Sequence, residues 1–132
     1  LFNGDLAVDD LPSAWNTMFK AWFDVEVPED RLGCLQDIHW SMGAFGYFPT
    51  YTLGNLYAAQ LLEAMAADLG DIDELVASGD WEPMLAWLRP RIHERGSQVS
   101  PAQLIEDATG SPPSPEPFLR YVERKYGELY QL

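Results

Sequence analysis

Helix-start and helix-stop residues recur along this chain at short intervals, and that punctuation restricts it to a set of short helices. Asp10 stands ahead of an apolar-periodic run from Leu11 through Phe23 that Val27-Pro28 interrupts. Asp71-Ile72-Asp73-Glu74 has the layout of a capping box with Asp as its first residue, and Gly79 stands where a left-handed residue ends a short helix. Asp80 precedes Trp81-Glu82-Pro83 and a segment with Trp81, Leu85, Leu88 and Ile92 at helical spacing, kinked at Pro90 and stopped by Gly96. Ser100-Pro101-Ala102-Gln103 is a full capping box with proline at the first helical position, and Gly110 closes it. Ser114-Pro115 opens a last helix with Leu119, Val122, Tyr126 and Leu129 on one stripe beside Arg120, Glu123, Arg124 and Glu128. The expected fold class is all-α, a multi-helix unit over residues 1–132.

One stretch departs from this rhythm. The 25 residues from Ile38 to Leu62 contain no Asp, Glu, Lys or Arg, so the window is expected to be buried or to line something. Gly43, Gly46 and Pro49 make its first part an irregular glycine- and aromatic-rich loop. Leu53, Leu56, Tyr57, Gln60, Leu61 and Met65 predict a helix ending at Gly70. The Pro112-Pro113-Ser114-Pro115 patch reads as a connector between helices, and no internal repeat is present.

Charge and cysteine content narrow the function classes. With 8 basic against 21 acidic residues the net charge is −13, which argues against nucleic acid or an anionic membrane surface as partner. An apolar share of 47% separates the chain from disordered acidic tails. A lone Cys34 has no disulfide mate and no companion thiolate for a metal, which suits a reducing cytoplasm, and its only basic neighbour in sequence is Arg31. No apolar run is long enough to span a bilayer. The missing initiator Met suggests a processed product or a piece of a longer polypeptide.

The densest chemistry lies in Gly33-Cys34-Leu35-Gln36-Asp37-Ile38-His39-Trp40 and the following run through Tyr51. A carboxylate two residues before an imidazole can orient the ring, and the glycines can fold the Tyr47 and Tyr51 phenols back toward it, building a hydrogen-bonding wall. The same residues also suit plain packing, with His39 a satisfied core histidine and Tyr47, Phe48 and Tyr51 core aromatics. Gln36 and Trp40 suit a buried amide and a core indole equally well.

Gly33-x-x-Gln36-Asp37-x-His39-Trp40 resembles the G-x-x-Q-D-x-H-W signature of the carboxypeptidase Taq family of zinc-dependent metallocarboxypeptidases. Phe45-Gly46-Tyr47-Phe48-Pro49-Thr50-Tyr51, Leu11-Pro12-x-Ala14-Trp15-Asn16, Ala108-Thr109-Gly110 and Pro117-Phe118-Leu119-x-Tyr121 look like that family's C-terminal region, so the resemblance spans nearly the whole chain. It implies a carboxypeptidase that releases C-terminal residues from peptides, with zinc or cobalt held by an H-E-x-x-H helix and a downstream Glu that lie upstream of this region. The one His-Glu pair here, His93-Glu94, has Ser97 where a second histidine would stand. His93 and Arg95 instead suit the negative end of a helix dipole. A looser resemblance, to zinc peptidases of the thimet-oligopeptidase type, implies a loop histidine and, twelve residues on, a tyrosine that hydrogen-bonds the tetrahedral intermediate, the separation of His39 and Tyr51.

The resemblance thus implies Tyr51 as oxyanion donor and His39 as a second contact to the peptide. Tyr47 follows as a weaker substrate contact, Asp37 as the group orienting His39, and Gln36 and Trp40 as supporting residues, with no metal ligands in this region. Homodimers are common in the family. A different reading is a free-standing helical module that binds a protein partner through exposed aromatics.

Overall fold

The computed structural model describes residues 1–132, all helix and connecting turns without strands. Where one domain is expected over residues 1–132, the chain groups into two compact units, Leu1–Phe48 and Pro49–Leu132.

In the first unit, α1 (Leu11–Phe23) has the extent its apolar run predicts. Its start is made differently. Asp10 already has helical dihedrals and makes no side-chain cap; its carbonyl accepts the Ser13 hydroxyl at 2.9 Å instead, and Pro12 lies in the first turn. Trp15, Phe19 and Phe23 run along the helix with ring centroids 6.3 and 4.8 Å apart. After Pro28 the backbone forms three single tight turns, Asp30–Leu32, Cys34–Gln36 and Trp40–Met42, of which the last falls in the irregular loop expected from Ile38 toward Pro49.

The second unit is built on α2 (Pro49–Leu69), against which α3 (Ile72–Ser78), α4 (Glu82–Leu88), α5 (Pro101–Thr109) and α6 (Glu116–Tyr130) all pack. The first helix begins four residues earlier than its apolar spacing predicts, because Pro49 can occupy a helix's first turn where its missing N–H is no loss. Asp71 caps α3 as expected, accepting the Asp73 and Glu74 N–H groups at 2.9 and 3.2 Å. Gly79 ends α3 at φ +74, a left-handed conformation in which a side chain is strained.

At α4 the expected Asp80 cap is absent. Trp81 takes the boundary position with helical dihedrals, and Pro83 shapes the first turn. The predicted disturbance at Pro90 takes the form of a widened π turn over Arg89–His93, in which the Glu94 N–H reaches back to the Arg89 carbonyl at 2.9 Å. Pro90 has no N–H to return to the preceding turn, so the ladder skips a residue there. The α5 capping box is half closed: Ser100 Oγ accepts the Gln103 N–H at 3.3 Å, but the Gln103 side chain turns forward to Asp107 at 2.7 Å.

Met65, Ile72 and Trp87 form the buried core, flanked by Leu61, Leu69, Leu75, Met84 and Leu88. Ile105 and Ala108 on α5 are buried as well, and full burial of a side chain such as Met65 or Ile72 contributes about 1.5–3 kcal/mol. Trp87 also donates its indole N–H to Asp68 at 2.7 Å, and the Arg91 guanidinium covers its ring at 4.5 Å while reaching the same carboxylate.

The other anchor is polar. Gln60, only 6% exposed on α2, shares its amide N–H groups among Thr109 Oγ1 and the Ser111 and Pro112 carbonyls at 3.0–3.1 Å, and its carbonyl accepts the Ser114 N–H at 3.1 Å. One side chain thus holds three backbone groups of the α5–α6 connector. Gln60→Leu leaves the Pro112 carbonyl and the Ser114 N–H without the partner Gln60 gives them, and a loss of about 2–3 kcal/mol is expected. The measurement is a lower urea midpoint at unchanged m-value; an unshifted midpoint contradicts the anchor.

Candidate functional site

Gly33 sets the path of the loop that carries the candidate residues. A Cβ there would lie 2.6 Å from Val27 Cγ1, and 3.4 Å from both Trp15 Cδ1 and Asn16 Oδ1, a buried oxygen without a hydrogen-bond partner. The chain after Pro28 therefore presses directly on α1 at the one residue with no side chain. From Gly33 the backbone enters the Cys34–Gln36 turn, and the Gln36 amide donates back to the Arg31 carbonyl, tying that turn to the one before it. Gln36 is exposed and holds its own loop together.

Asp37 follows in extended conformation, and one oxygen of its carboxylate accepts two bonds from His39: the backbone N–H at 2.7 Å and ring Nδ1 at 2.5 Å. The carboxylate thus sets both the turn and the ring. Because it can only accept, the proton belongs on Nδ1, which leaves Nε2 as the acceptor in a neutral ring and a second donor in an imidazolium. Both side chains are largely covered, 16% exposed for His39 and 20% for Asp37. The two hydrogen bonds from His39, the backbone one foremost, hold the Asp37 carboxyl below its ordinary value of 3.8.

Aromatic rings complete the setting. Tyr47 stacks on His39 at a centroid distance of 5.4 Å and an 18° angle, and Phe48 meets it edge-on at 5.4 Å and 83°. Trp40, 39% exposed, packs on Phe45, which in turn touches Phe2. The structure therefore brings together Asp37, His39 and Tyr47, keeps Gln36 within its own turn, and directs Trp40 toward Phe45. Tyr51 stands in the first turn of α2, in the second unit, with its ring half exposed. Residue types and spacing gave no sign of Val27 as the residue facing Gly33, or of Phe48 as the edge-on partner of His39.

Of the two expectations for the charge-free window, buried or lining something, burial does not hold: Ile38, Met42, Phe45, Tyr47, Phe48, Tyr51 and Leu53 are all at least 45% exposed. Nor do the metal-binding residue types converge. No group of three or more His, Cys, Asp or Glu side chains lies together in a form that could hold an ion, and His93 sits in the π turn after α4.

Residues 1–126 match the family pattern of carboxypeptidase Taq (M32) metallopeptidases. The chain belongs to that family. It is 48% identical over 130 residues to Thermostable carboxypeptidase 1 of Thermus thermophilus and 39% identical over 132 residues to Carboxypeptidase 1 of Bacillus subtilis. These matches take in 98% and 100% of this chain but 26% of each relative, so the chain spans about a quarter of the length of the carboxypeptidases it matches. Among solved structures, an M32 carboxypeptidase from Deinococcus radiodurans superposes with a TM-score of 0.93 at 37% identity, over 98% of this chain and 26% of the other. The all-helical fold and the assignment to the C-terminal region of such an enzyme agree with these matches.

Two outcomes follow from the M32 loop geometry. Gly33→Ala should cost about 1–3 kcal/mol through overpacking against Val27, measurable in urea, and Val27→Ala in the same chain should recover most of it; an additive double variant contradicts the contact. The depressed pKa of Asp37 fixes the sign of a pH effect. Its contribution to holding the loop is complete above the ordinary carboxyl value of 3.8 and is lost as pH falls through the lower folded value. NMR titration should give an Asp37 midpoint below 3.8, with the His39 amide resonance moving in step, and a midpoint at or above 3.8 refutes the pairing.

Proposed function

We propose that this chain is the C-terminal part of a metal-dependent carboxypeptidase that releases C-terminal residues from peptides, and that it supplies contacts to the substrate and to the oxyanion. The observation that carries the reading is the Asp37–His39 pair, in which a family signature places a carboxylate so that the imidazole has a set tautomer and orientation. A ring held this way needs no reorganisation when a peptide binds, which is where preorganised donors gain their effect.

In this proposal the Tyr51 phenol donates a hydrogen bond to the oxygen that becomes negative as the scissile carbonyl turns tetrahedral. His39 gives a second polar contact to the peptide through Nε2, and Asp37 acts on the peptide only by positioning His39. The His39–Tyr51 spacing of twelve residues and the half-exposed Tyr51 ring support these roles. Tyr47 is a weaker substrate contact, since its ring is stacked on the imidazole. Gln36 and Trp40 support the loop rather than the peptide. The family's metal, zinc or cobalt, is assigned in this proposal to polypeptide other than these residues. A cytoplasmic setting fits the lone cysteine, and a homodimer is the assembly the family resemblance implies.

The test is Tyr51→Phe in a full-length carboxypeptidase carrying this chain as its C-terminal region. Loss of one oxyanion donor is expected to lower kcat about 100-fold or more with KM changed far less. Wild-type turnover in that variant ends the assignment.

A further inference from the structure

The two rings against His39 cover it more than they are covered themselves. Tyr47 and Phe48 are 50% and 57% exposed, whereas the His39 side chain is 16% exposed. Rings laid into a core bury themselves; these bury the histidine. The backbone between is folded for that approach. The His39 carbonyl accepts the Met42 and Ala44 N–H groups at 3.1 and 2.9 Å, and Gly43 and Gly46 take left-handed φ values of +75 and +77, so the chain turns back toward residue 39. Phe48 also precedes Pro49, the first residue of α2, and a residue before proline is held away from helical dihedrals.

The bond from Nδ1 to Asp37 fixes one atom of the imidazole. It leaves the plane of the ring soft, because the Cβ–Cγ torsion of histidine is broad and a hydrogen bond tolerates some tilt. Tyr47, parallel to the imidazole within 18°, supplies a flat support for that plane, and Phe48, at 83° and 5.4 Å, abuts the ring from a different direction. We infer that Phe48 is a positioning residue: together with the Tyr47 ring it holds the imidazole plane that Asp37 leaves free, and through it the direction of Nε2. Tyr47 takes part through its ring, separately from any bond its phenol makes. The inference rests on the reading of His39 as a contact to the peptide, and its first measurement involves no peptide.

Nitrogen NMR of the neutral His39 ring in this chain gives the share of each tautomer, with His93 as an internal reference. A single Nδ1–H tautomer is expected in the wild-type chain and a mixture with Nε2–H in both Phe48→Leu and Tyr47→Leu. Tyr47→Phe, which keeps the ring and drops the hydroxyl, should leave the single tautomer. Hydrogen-exchange protection of the His39 backbone N–H checks that its own bond to Asp37, and so the turn, persists; if it does not in Phe48→Leu, Phe48→Met is read in its place. In a full-length carboxypeptidase carrying this chain as its C-terminal region, Phe48→Leu should lower kcat about tenfold with KM changed little. A mixture already in the wild-type chain, or a single tautomer in Phe48→Leu, overturns the inference. Loss of the turn in both Phe48 variants also overturns it, since the ring then supports the backbone and not the imidazole, and a mixture in Tyr47→Phe does so by making the phenol the holding group. A mixed tautomer in Phe48→Leu with unchanged turnover upholds the grip on His39 and counts against the peptide-contact reading alone.

Discussion

The arrangement of the second unit depends on a single buried amide. Gln60 lies on the longest helix and holds the connector between α5 and α6 through both ends of its side chain, so two helices distant in sequence are referred to one point on α2. The same helix begins at Pro49 and carries Tyr51 in its first turn. Whatever keeps α2 straight and packed therefore governs the direction of a candidate catalytic phenol. The apolar cluster around Trp87 acts on the same helix from another side, through Asp68.

In the first unit the governing contact is of the opposite kind, an absence. Gly33 lets the loop lie against Val27 and Trp15, and the features that follow it in the chain are the Gln36 bond to the preceding turn, the extended Asp37, and the ring of His39. The glycine of the family signature thus has a steric reason, the aspartate an orienting one, and the glutamine a local structural one. Tyr47 and Phe48 add rigidity, since one ring lies flat on the imidazole and the other meets its edge.

Much of the helical plan was legible in the residues because caps are local. Asp71 and Ser100 hold the N–H groups their positions predict, and the run Leu11–Phe23 became α1 without change of boundary. Asp10 failed as a cap because it already has helical dihedrals, and at α4 the boundary position falls one residue beyond Asp80, on Trp81. The site was legible as a signature and as a carboxylate–imidazole pair, but the backbone N–H of His39 as the second donor to Asp37 was not, since that depends on the turn between them.

Composition and local spacing by themselves determined that this chain is helical, acidic and built from short capped segments, because each of those properties is decided within a few residues. Which face of each segment is covered was decided only by the tertiary structure. Of the stripe Leu119, Val122, Tyr126 and Leu129 that periodicity marks as core, Leu119, Tyr126 and Leu129 are exposed while α6 meets α2 through Pro117, Phe118 and Tyr121, and the uncharged window expected to be buried or to line something is largely exposed. Periodicity records that a face is apolar. It does not record what that face is apolar for, because burial is a property of the neighbour as much as of the helix.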